Sequence, residues 1–430
     1  MTQKVDVLLG LQWGDEGKGK IIDVLTPNYD IVARFQGGPN AGHTLEFNNI
    51  KVVLHQVPSG IFHPSIANVI GNGVVLDPVK FKNEILMLEK YIPIQELKKR
   101  IIISNEAHLI LPIHIWLDKF NEEKKGVSKI GSTLCGIGPC YTDKASRSGI
   151  RVGEIFESNF EIKFEKLIVN HKIGIDHENQ LFFRTIERFK DEIEEFHESI
   201  KFLKMFSILD TPTFLNNARK NGKKILAEGA QGTSLDINFG DYPFVTSSTT
   251  VSAGVCSGLG VPPQAIGEVF GLVKAYSTRV GSGPFPTEQE NQIGEKLRQK
   301  GGEFGATTGR ARRCGWLDLP QINRAIMLNG VTQLIISKVD VLTKFGEINV
   351  LIKYDNNKDL VYKKFPSWEC IIKDNTFSEE LFKYLNFIQI KTNVPISYIS
   401  TGPNRSDIIN METFGWLFKK PVCNSGRFFL

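Results

Sequence analysis

The chain has 430 residues, of which 41% are hydrophobic and 23% charged, with a formal net charge of +5. Those values are ordinary for a globular protein large enough to bury an extensive core. They exclude a low-complexity chain; no Lys/Arg block is dense enough to argue for nucleic acid, and no apolar run is long enough to span a membrane.

The amino terminus leads directly into a strand pattern, so no signal peptide is expected. The six cysteines form no C-x-x-C pair, which predicts free thiols in a reducing, cytoplasmic setting and no zinc centre. Val5 to Leu9 reads as a buried strand. It gives way to Gly10-Leu11-Gln12-Trp13-Gly14-Asp15-Glu16-Gly17-Lys18-Gly19-Lys20, and Ile21 to Leu25 continues as a helix. Strand, glycine loop and helix make a phosphate cradle, because backbone N–H groups at the helix start point at the anion. The loop is not a Walker A sequence: Gln12 stands where the first Gly belongs, and Gly19 follows Lys18 where Ser or Thr would hold Mg²⁺. A carboxylate beside a triphosphate is repulsive unless a metal or proton intervenes. Asp15 therefore ligates Mg²⁺, takes a proton from a substrate, or does both; a first-turn acid that complements the helix dipole is the plainer alternative.

Ile31 to Phe35 reads as a second buried strand, leading into the glycine-rich segment from Gln36 to Thr44. Asn68 to Leu76 contains a third, broken at Gly71 and Gly73. Asp77-Pro78 pairs an N-cap with a proline at the first helical position, and Phe81, Ile85 and Leu88 form a helical stripe beyond it. Ile101 to Ile103 is a further strand. The alternation predicts an α/β fold, with a large, mostly parallel central sheet flanked by helices and ligands at the carboxyl ends of its strands. Phe182, Ile186, Phe189, Ile193, Phe196, Ile200 and Leu203 predict a long amphipathic helix docked on the body, inside a helical insertion over about 155–220. The α/β pattern resumes at Lys224 to Ala227, before Gly229-Ala230-Gln231-Gly232-Thr233, and Val331 to Lys338 supplies another strand.

Four later segments carry polar chemistry. Gly131-Ser132-Thr133 precedes Asp143-Lys144-Ala145-Ser146-Arg147, and Val245 to Thr250 is rich in hydroxyls. Gly305-Ala306-Thr307-Thr308-Gly309-Arg310-Ala311-Arg312-Arg313 offers hydroxyls and guanidiniums, which suit carboxylate or phosphate recognition. Ser337-Lys338-Val339-Asp340 resembles the N-K-x-D guanine signature, in which one carboxylate accepts from both N1–H and the 2-amino group. A strand-end Asp capping a turn would look the same.

Taken together, these segments resemble the adenylosuccinate synthetase family from about residue 4 to Arg405. The phosphate loop, Asn40-Ala41-Gly42-His43-Thr44, Glu228 to Thr233, Thr307 to Arg310 and Cys314 to Asp318 carry the resemblance. It implies a single domain over 1–430, with a P-loop-NTPase-like core, the helical insertion, smaller subdomains and a divergent tail at 406–430. It also implies a ligase that joins L-aspartate to IMP with GTP hydrolysis, the first committed step from IMP to AMP. Asp15 would take the N1 proton of IMP, oxygen 6 would attack the γ-phosphate, and the aspartate amine would displace phosphate from the 6-phosphoryl intermediate. Asp15, His43 and Lys18 are the implied catalytic residues, with one Mg²⁺ per subunit on Asp15 and the Gly42 carbonyl.

The resemblance assigns GTP to Gly14, Asp15, Glu16, Gly17, Lys18, Gly19, Lys20, Gly42, His43, Thr44, Arg312, Lys338, Val339, Asp340, Ser400, Thr401 and Gly402. IMP falls to Asp15, Glu16, Gly17, Lys18, Asn40, Ala41, Gly42, His43, Thr133, Arg147, Gln231, Thr246 and Arg310. Ala306, Thr307, Thr308, Gly309, Arg310, Ala311 and Arg312 would hold aspartate. Arg147 would reach the neighbouring subunit's site, which implies a homodimer. One departure stands out: Leu134-Cys135 replaces a position where the family usually carries a small or basic residue followed by Arg. Retention of Asp15, Lys18 and His43 argues against an inactive homologue.

Overall fold

In a computed structural model, residues 2–126, 129–176, 186–305, 309–355, 359–373 and 376–414 are described. A ten-stranded sheet runs through the molecule. In spatial order its strands are Ile408–Asn410, Ile396–Ser400, Gln333–Ser337, Ile266–Lys274, Val5–Gly10, Ile225–Glu228, Ile31–Arg34, Ala67–Ile70, Ile101–Ser104 and Ser207–Leu209. Every pairing is parallel except that of Ile408–Asn410 with Ile396–Ser400. The expected α/β architecture is therefore present. Strand Val5–Gly10 sits between Ile225–Glu228 and Ile266–Lys274, and burial on both faces explains the apolar run Val7 to Leu9, while Asp6 near its start is half-buried.

The break at Gly71 and Gly73 has a packing cause. A Cβ on Gly73 would lie 2.1 Å from the Phe35 carbonyl oxygen, and one on Gly258 would lie 2.0 Å from it. Only glycine lets three backbone segments meet there. The helix after it begins as expected: Asp77 accepts hydrogen bonds from the Val79 and Lys80 N–H groups, with Pro78 at the first position.

The region around 155–220 contains helices Phe160–Asp176, Ile186–Leu203 and Thr211–Lys220, together with the edge strand Ser207–Leu209. With three residues, that strand is too short to show a period in the sequence. Phe182 and the Ile186 side chain lie outside what is described, and the stripe from Phe189 to Leu203 faces inward. Phe196, Ile200 and Leu203 are buried, while Phe189 and Ile193 pack at the margin of the same core. Phe196 stacks on Phe164 at 5.2 Å between centroids, and Trp116 meets Phe189 edge-on at 5.9 Å. The helix thus docks on the body. Of the tail, Ile408–Asn410 joins the sheet and Met411–Phe414 forms a short 3₁₀ turn, while 415–430 lies outside the described residues. Among the described residues no helix is long and apolar enough to cross a membrane.

Phe196 anchors the docked helix, so Phe196→Ala should cost about 3–5 kcal/mol through lost burial and a residual cavity. A urea unfolding midpoint equal to that of the parent chain would show that the helix does not belong to the cooperative core.

Candidate active site

The glycine loop leaves the central strand and enters helix Lys18–Leu25 through Gly17, whose φ of 96° is left-handed. Its organiser is Glu16, a buried carboxylate folded back into the loop. Oε1 accepts from the Gly14 N–H at 2.9 Å and the Gln12 N–H at 3.2 Å, while Oε2 pairs with Lys18 Nζ at 2.6 Å. Gln12 fastens the loop to the neighbouring strand, donating to the Tyr276 carbonyl at 2.9 Å and accepting from the Lys274 N–H at 2.9 Å. The Ser337 hydroxyl donates to the Glu16 carbonyl at 2.8 Å, so the guanine-like turn is tied directly to the phosphate loop.

Lys18 and Lys20 diverge, because residues two apart on a helix point to different sides. Lys20 turns away from Lys18 and donates to Ser400 Oγ at 2.8 Å and to the Gly402 and Asp407 carbonyls at 2.7 Å each. Burial pushes its ammonium down to about 8. Its side chain therefore clamps the 400–407 turn onto the helix. Lys18 alone of the two faces the loop interior.

Gly19 brings the helix against His43, where a Cβ would lie 2.6 Å from the histidine Cβ. His43 begins the hairpin His43–Phe47 and Ile50–Leu54. Its Nδ1 meets Glu228 Oε1, and a carboxylate can only accept, so Nδ1 carries the proton. Glu228 is held by the Ser59 N–H at 2.8 Å and the Ser59 hydroxyl at 2.6 Å. Burial pushes the His43 imidazole below its ordinary value, against the opposing pull of Glu228. Nε2 is left buried without a partner among the described residues. Glu228 and Ser59 were not singled out for roles from the sequence; a charged residue closing the apolar strand Ile225–Glu228 was the available signal.

Asp15 adopts a positive φ of 62°. Arg312 Nε lies 2.8 Å from its Oδ2, and Arg312 Nη1 lies 2.6 Å from Glu303 Oε2. Glu303 is fully buried and receives Lys274 Nζ at 2.8 Å and the Tyr276 hydroxyl. Burial alone would push its carboxyl up, but the Lys274 and Arg312 cations bring it down to about 2. This Lys274–Glu303–Arg312 relay was also missed; Lys274, a charge closing an apolar strand, was its trace in the sequence.

The guanine-like turn has Lys338 at a φ of 63°, with its Nζ on the Gly301 carbonyl at 2.8 Å. Asp340 presents a buried Oδ1 without a partner among the described residues, and burial raises its carboxyl above the usual range. Val339 is wholly buried, so its side chain belongs to the core. Thr401 donates its N–H to the Asp407 carbonyl at 2.9 Å. Thr44 pairs with Val53 in the hairpin.

Gln231 and Asn40 also carry buried oxygens without a partner among the described residues. The Gln231 Cα would lie 3.4 Å from a Cβ on Gly14, which places Gln231 over the phosphate loop. The Ala41 carbonyl accepts from His55 Nδ1 at 2.7 Å, next to Gly42. Thr246 donates its N–H to the Leu235 carbonyl at 2.8 Å. Gly305 and Arg310 close a turn through a 2.8 Å backbone bond, with Gly309 and Ala311 exposed beside them; Ala306, Thr307 and Thr308 lie outside the described residues. Thr133 is exposed on a turn stapled by Glu122 and Asp118. Arg147 stands apart. It caps helix Ile137–Ser146 and lines a cleft of about 700 Å³ with His108, Lys144, Arg151 and Glu154, and no phosphate-loop residue reaches that cleft.

Among the described residues, the one group of three possible metal ligands is His114, Asp143 and His171. His114 Nδ1 accepts the Leu111 N–H, which leaves its proton on Nε2 for Asp143 at 2.9 Å. That arrangement is a hydrogen-bonded brace between helices.

Comparison with known proteins gives the family of the chain. The family model for adenylosuccinate synthetase matches residues 7–409. The chain is 50% identical over 425 residues to the adenylosuccinate synthetase of Parabacteroides distasonis, across 94% of this chain and 98% of that one. Identity to the Flavobacterium johnsoniae enzyme of the same name is also 50%, across 94% and 99%. The solved structure of fully ligated adenylosuccinate synthetase from Plasmodium falciparum superposes with a TM-score of 0.84 at 38% identity, across 95% of this chain and 99% of that one. With its loops converging on one sheet edge and its relatives aligned nearly end to end, the chain belongs to the adenylosuccinate synthetase family.

Proposed function

We propose that this chain is a GTP-dependent ligase that joins L-aspartate to IMP and yields adenylosuccinate, GDP and phosphate. The supporting observation is the convergence of a phosphate loop, a Glu228-oriented histidine and an Asp340 turn at the carboxyl edge of one parallel sheet.

An amide-type oxygen is a poor leaving group, and phosphorylation makes it a good one. In our reading, Asp15 removes the N1 proton of the hypoxanthine, and negative charge moves to oxygen 6. Oxygen 6 then attacks the γ-phosphate, releasing GDP and forming the 6-phosphoryl intermediate. The aspartate amine adds at carbon 6, loses a proton and expels phosphate. Arg312, held at Nη1 by Glu303, keeps its position and presents its remaining N–H groups to the aspartate carboxylates and GTP. Lys18 balances the β,γ-phosphate charge. Protonated at Nε2 as well, His43 donates to the β,γ-bridging oxygen as the acid, and Glu228 stabilises the resulting imidazolium.

A divalent metal fits the hard oxygens of Asp15 and Gly42, and we assign Mg²⁺ there, one per subunit. When bound, it neutralises phosphate charge. Asp340 accepts from guanine, with Lys338, Ser400 and Gly402 around the base. Asn40, Thr133, Gln231, Thr246 and Arg310 take IMP, and the 305–312 loop takes aspartate. Arg147, exposed and remote from its own phosphate loop, suits donation across a homodimer. The compartment we assign is the cytoplasm.

The direct test is the ultraviolet absorbance change on mixing the protein with IMP, GTP, Mg²⁺ and L-aspartate, omitting each in turn. A signal that needs all four is expected; GTP turnover without IMP or aspartate would identify a GTPase instead. Asp15→Ala should abolish turnover while nucleotide binding largely survives, and near-normal activity would remove Asp15 from the base role. Glu228→Gln should keep the fold and lower kcat about 10²-fold, the lower range for a proton-transfer group; an unchanged kcat would reduce Glu228 to packing. Asp340→Ala should erode the preference for GTP over ATP, and an unaltered preference would refute the guanine pocket.

A further inference from the structure

The departure at Leu134-Cys135 has a structural counterpart on another helix. Lys80 stands in the first turn of helix Pro78–Leu88, and its Nζ lies 3.0 Å from Cys135 Sγ. A thiol is a weak acceptor and carries no charge of its own to balance the ammonium. Asp77 Oδ2 lies 4.0 Å from the ammonium, a long ion pair, while its Oδ1 accepts the Val79 and Lys80 N–H groups. The Lys80 side chain is 38% exposed.

Its surroundings are the two turns assigned above to IMP. On one side, Cys135 Sγ reaches the Thr133 carbonyl at 3.3 Å. The Thr133 turn is rigid: Glu122 accepts from Gly131 and Ser132, the Ser132 hydroxyl donates to Asp118 at 2.7 Å, and Leu134 N–H donates to Ser132 Oγ at 3.1 Å. On the other side stands His55, whose ring holds the Ala41 carbonyl. Burial is the main cause that pushes the His55 imidazole below its ordinary value, and the Lys80 charge adds to it. Asn40 Oδ1 is buried there without a partner among the described residues.

We propose that Lys80 is a binding residue for the 5′-phosphate of IMP, a further cation beside Arg147 and Arg310 that is supplied from helix Pro78–Leu88 while position 135 is a neutral thiol. The assignment rests on the IMP reading above. Lys80 makes a monodentate, charge-assisted contact with phosphate oxygens and takes no part in proton or phosphoryl transfer. It therefore acts on affinity for IMP and leaves GTP untouched.

The experiment uses the full chain, with calorimetric binding of IMP and of GTP measured separately, followed by the ligase assay. The proteins are the parent, Lys80→Met, Cys135→Ser and the double variant Lys80→Met with Cys135→Arg. Lys80→Met should weaken IMP binding and raise its KM about tenfold, as expected for one charge-assisted hydrogen bond, with GTP affinity and kcat within about twofold. Cys135→Ser should match the parent, and the double variant should recover most of the lost affinity. Unchanged IMP affinity in Lys80→Met overturns the proposal, and so does an equal loss for IMP and GTP, which marks a structural role. A parent chain that binds IMP but makes no adenylosuccinate refutes the ligase reading while calorimetry still decides Lys80; a parent that fails to bind IMP overturns both.

Discussion

The buried carboxylate of Glu16 is the interaction on which the site depends. An acid in a phosphate loop looks misplaced, yet here it gathers two backbone N–H groups and Lys18 into one rigid turn. The turn leaves little room around it. A Cβ on Gly10 would lie 2.2 Å from Glu16 Oε2, and one on Gly232 would lie 2.9 Å from Oε1. The glycines of two distant segments are thus spacing elements for one side chain. Through its carbonyl, Glu16 also receives Ser337, so the positions of phosphate and base recognition are set by the same residue.

A second constraint is how charge is buried. Lys274, Glu303 and Arg312 form a chain that ends on Asp15, and His43, Glu228 and Ser59 form another. Buried ion pairs add little net stability, since desolvation offsets their attraction. Their effect here is geometric. Arg312 cannot swing freely while Glu303 holds one edge, and the His43 ring cannot rotate while Glu228 holds Nδ1. Catalytic groups fixed before substrate arrives need no reorganisation at the moment of reaction.

Local pattern made much of the fold legible. Val5–Gly10, Ile31–Arg34 and Ile225–Glu228 are apolar runs bounded by glycine, and each is a central strand. The Asp77-Pro78 start and the 186–203 stripe were equally plain. Ser207–Leu209 was not, because three half-exposed residues at a sheet edge carry no period. In the site, motifs that must approach phosphate are glycine-rich and therefore visible. Glu303, Ser59 and Tyr276 are visible only in three dimensions, because their roles come from neighbours dozens or hundreds of positions away. The direction of Lys20 was also hidden, since its neighbours Ser400, Gly402 and Asp407 come from the other end of the chain.

That same clamp has a consequence for how the protein is made. The central strand Val5–Gly10 is made well before its two partners, which end at Glu228 and Lys274. At 5–20 residues per second, it waits roughly 15–55 s for a complete set of neighbours. Lys20 waits longer still, until the 400–407 turn emerges. During that interval an apolar amino-terminal strand and an unclosed glycine loop are exposed together, a state prone to wrong pairing. Newly synthesised chain should therefore depend on chaperones more than its mature stability suggests, and nascent chains truncated before Lys274 should aggregate.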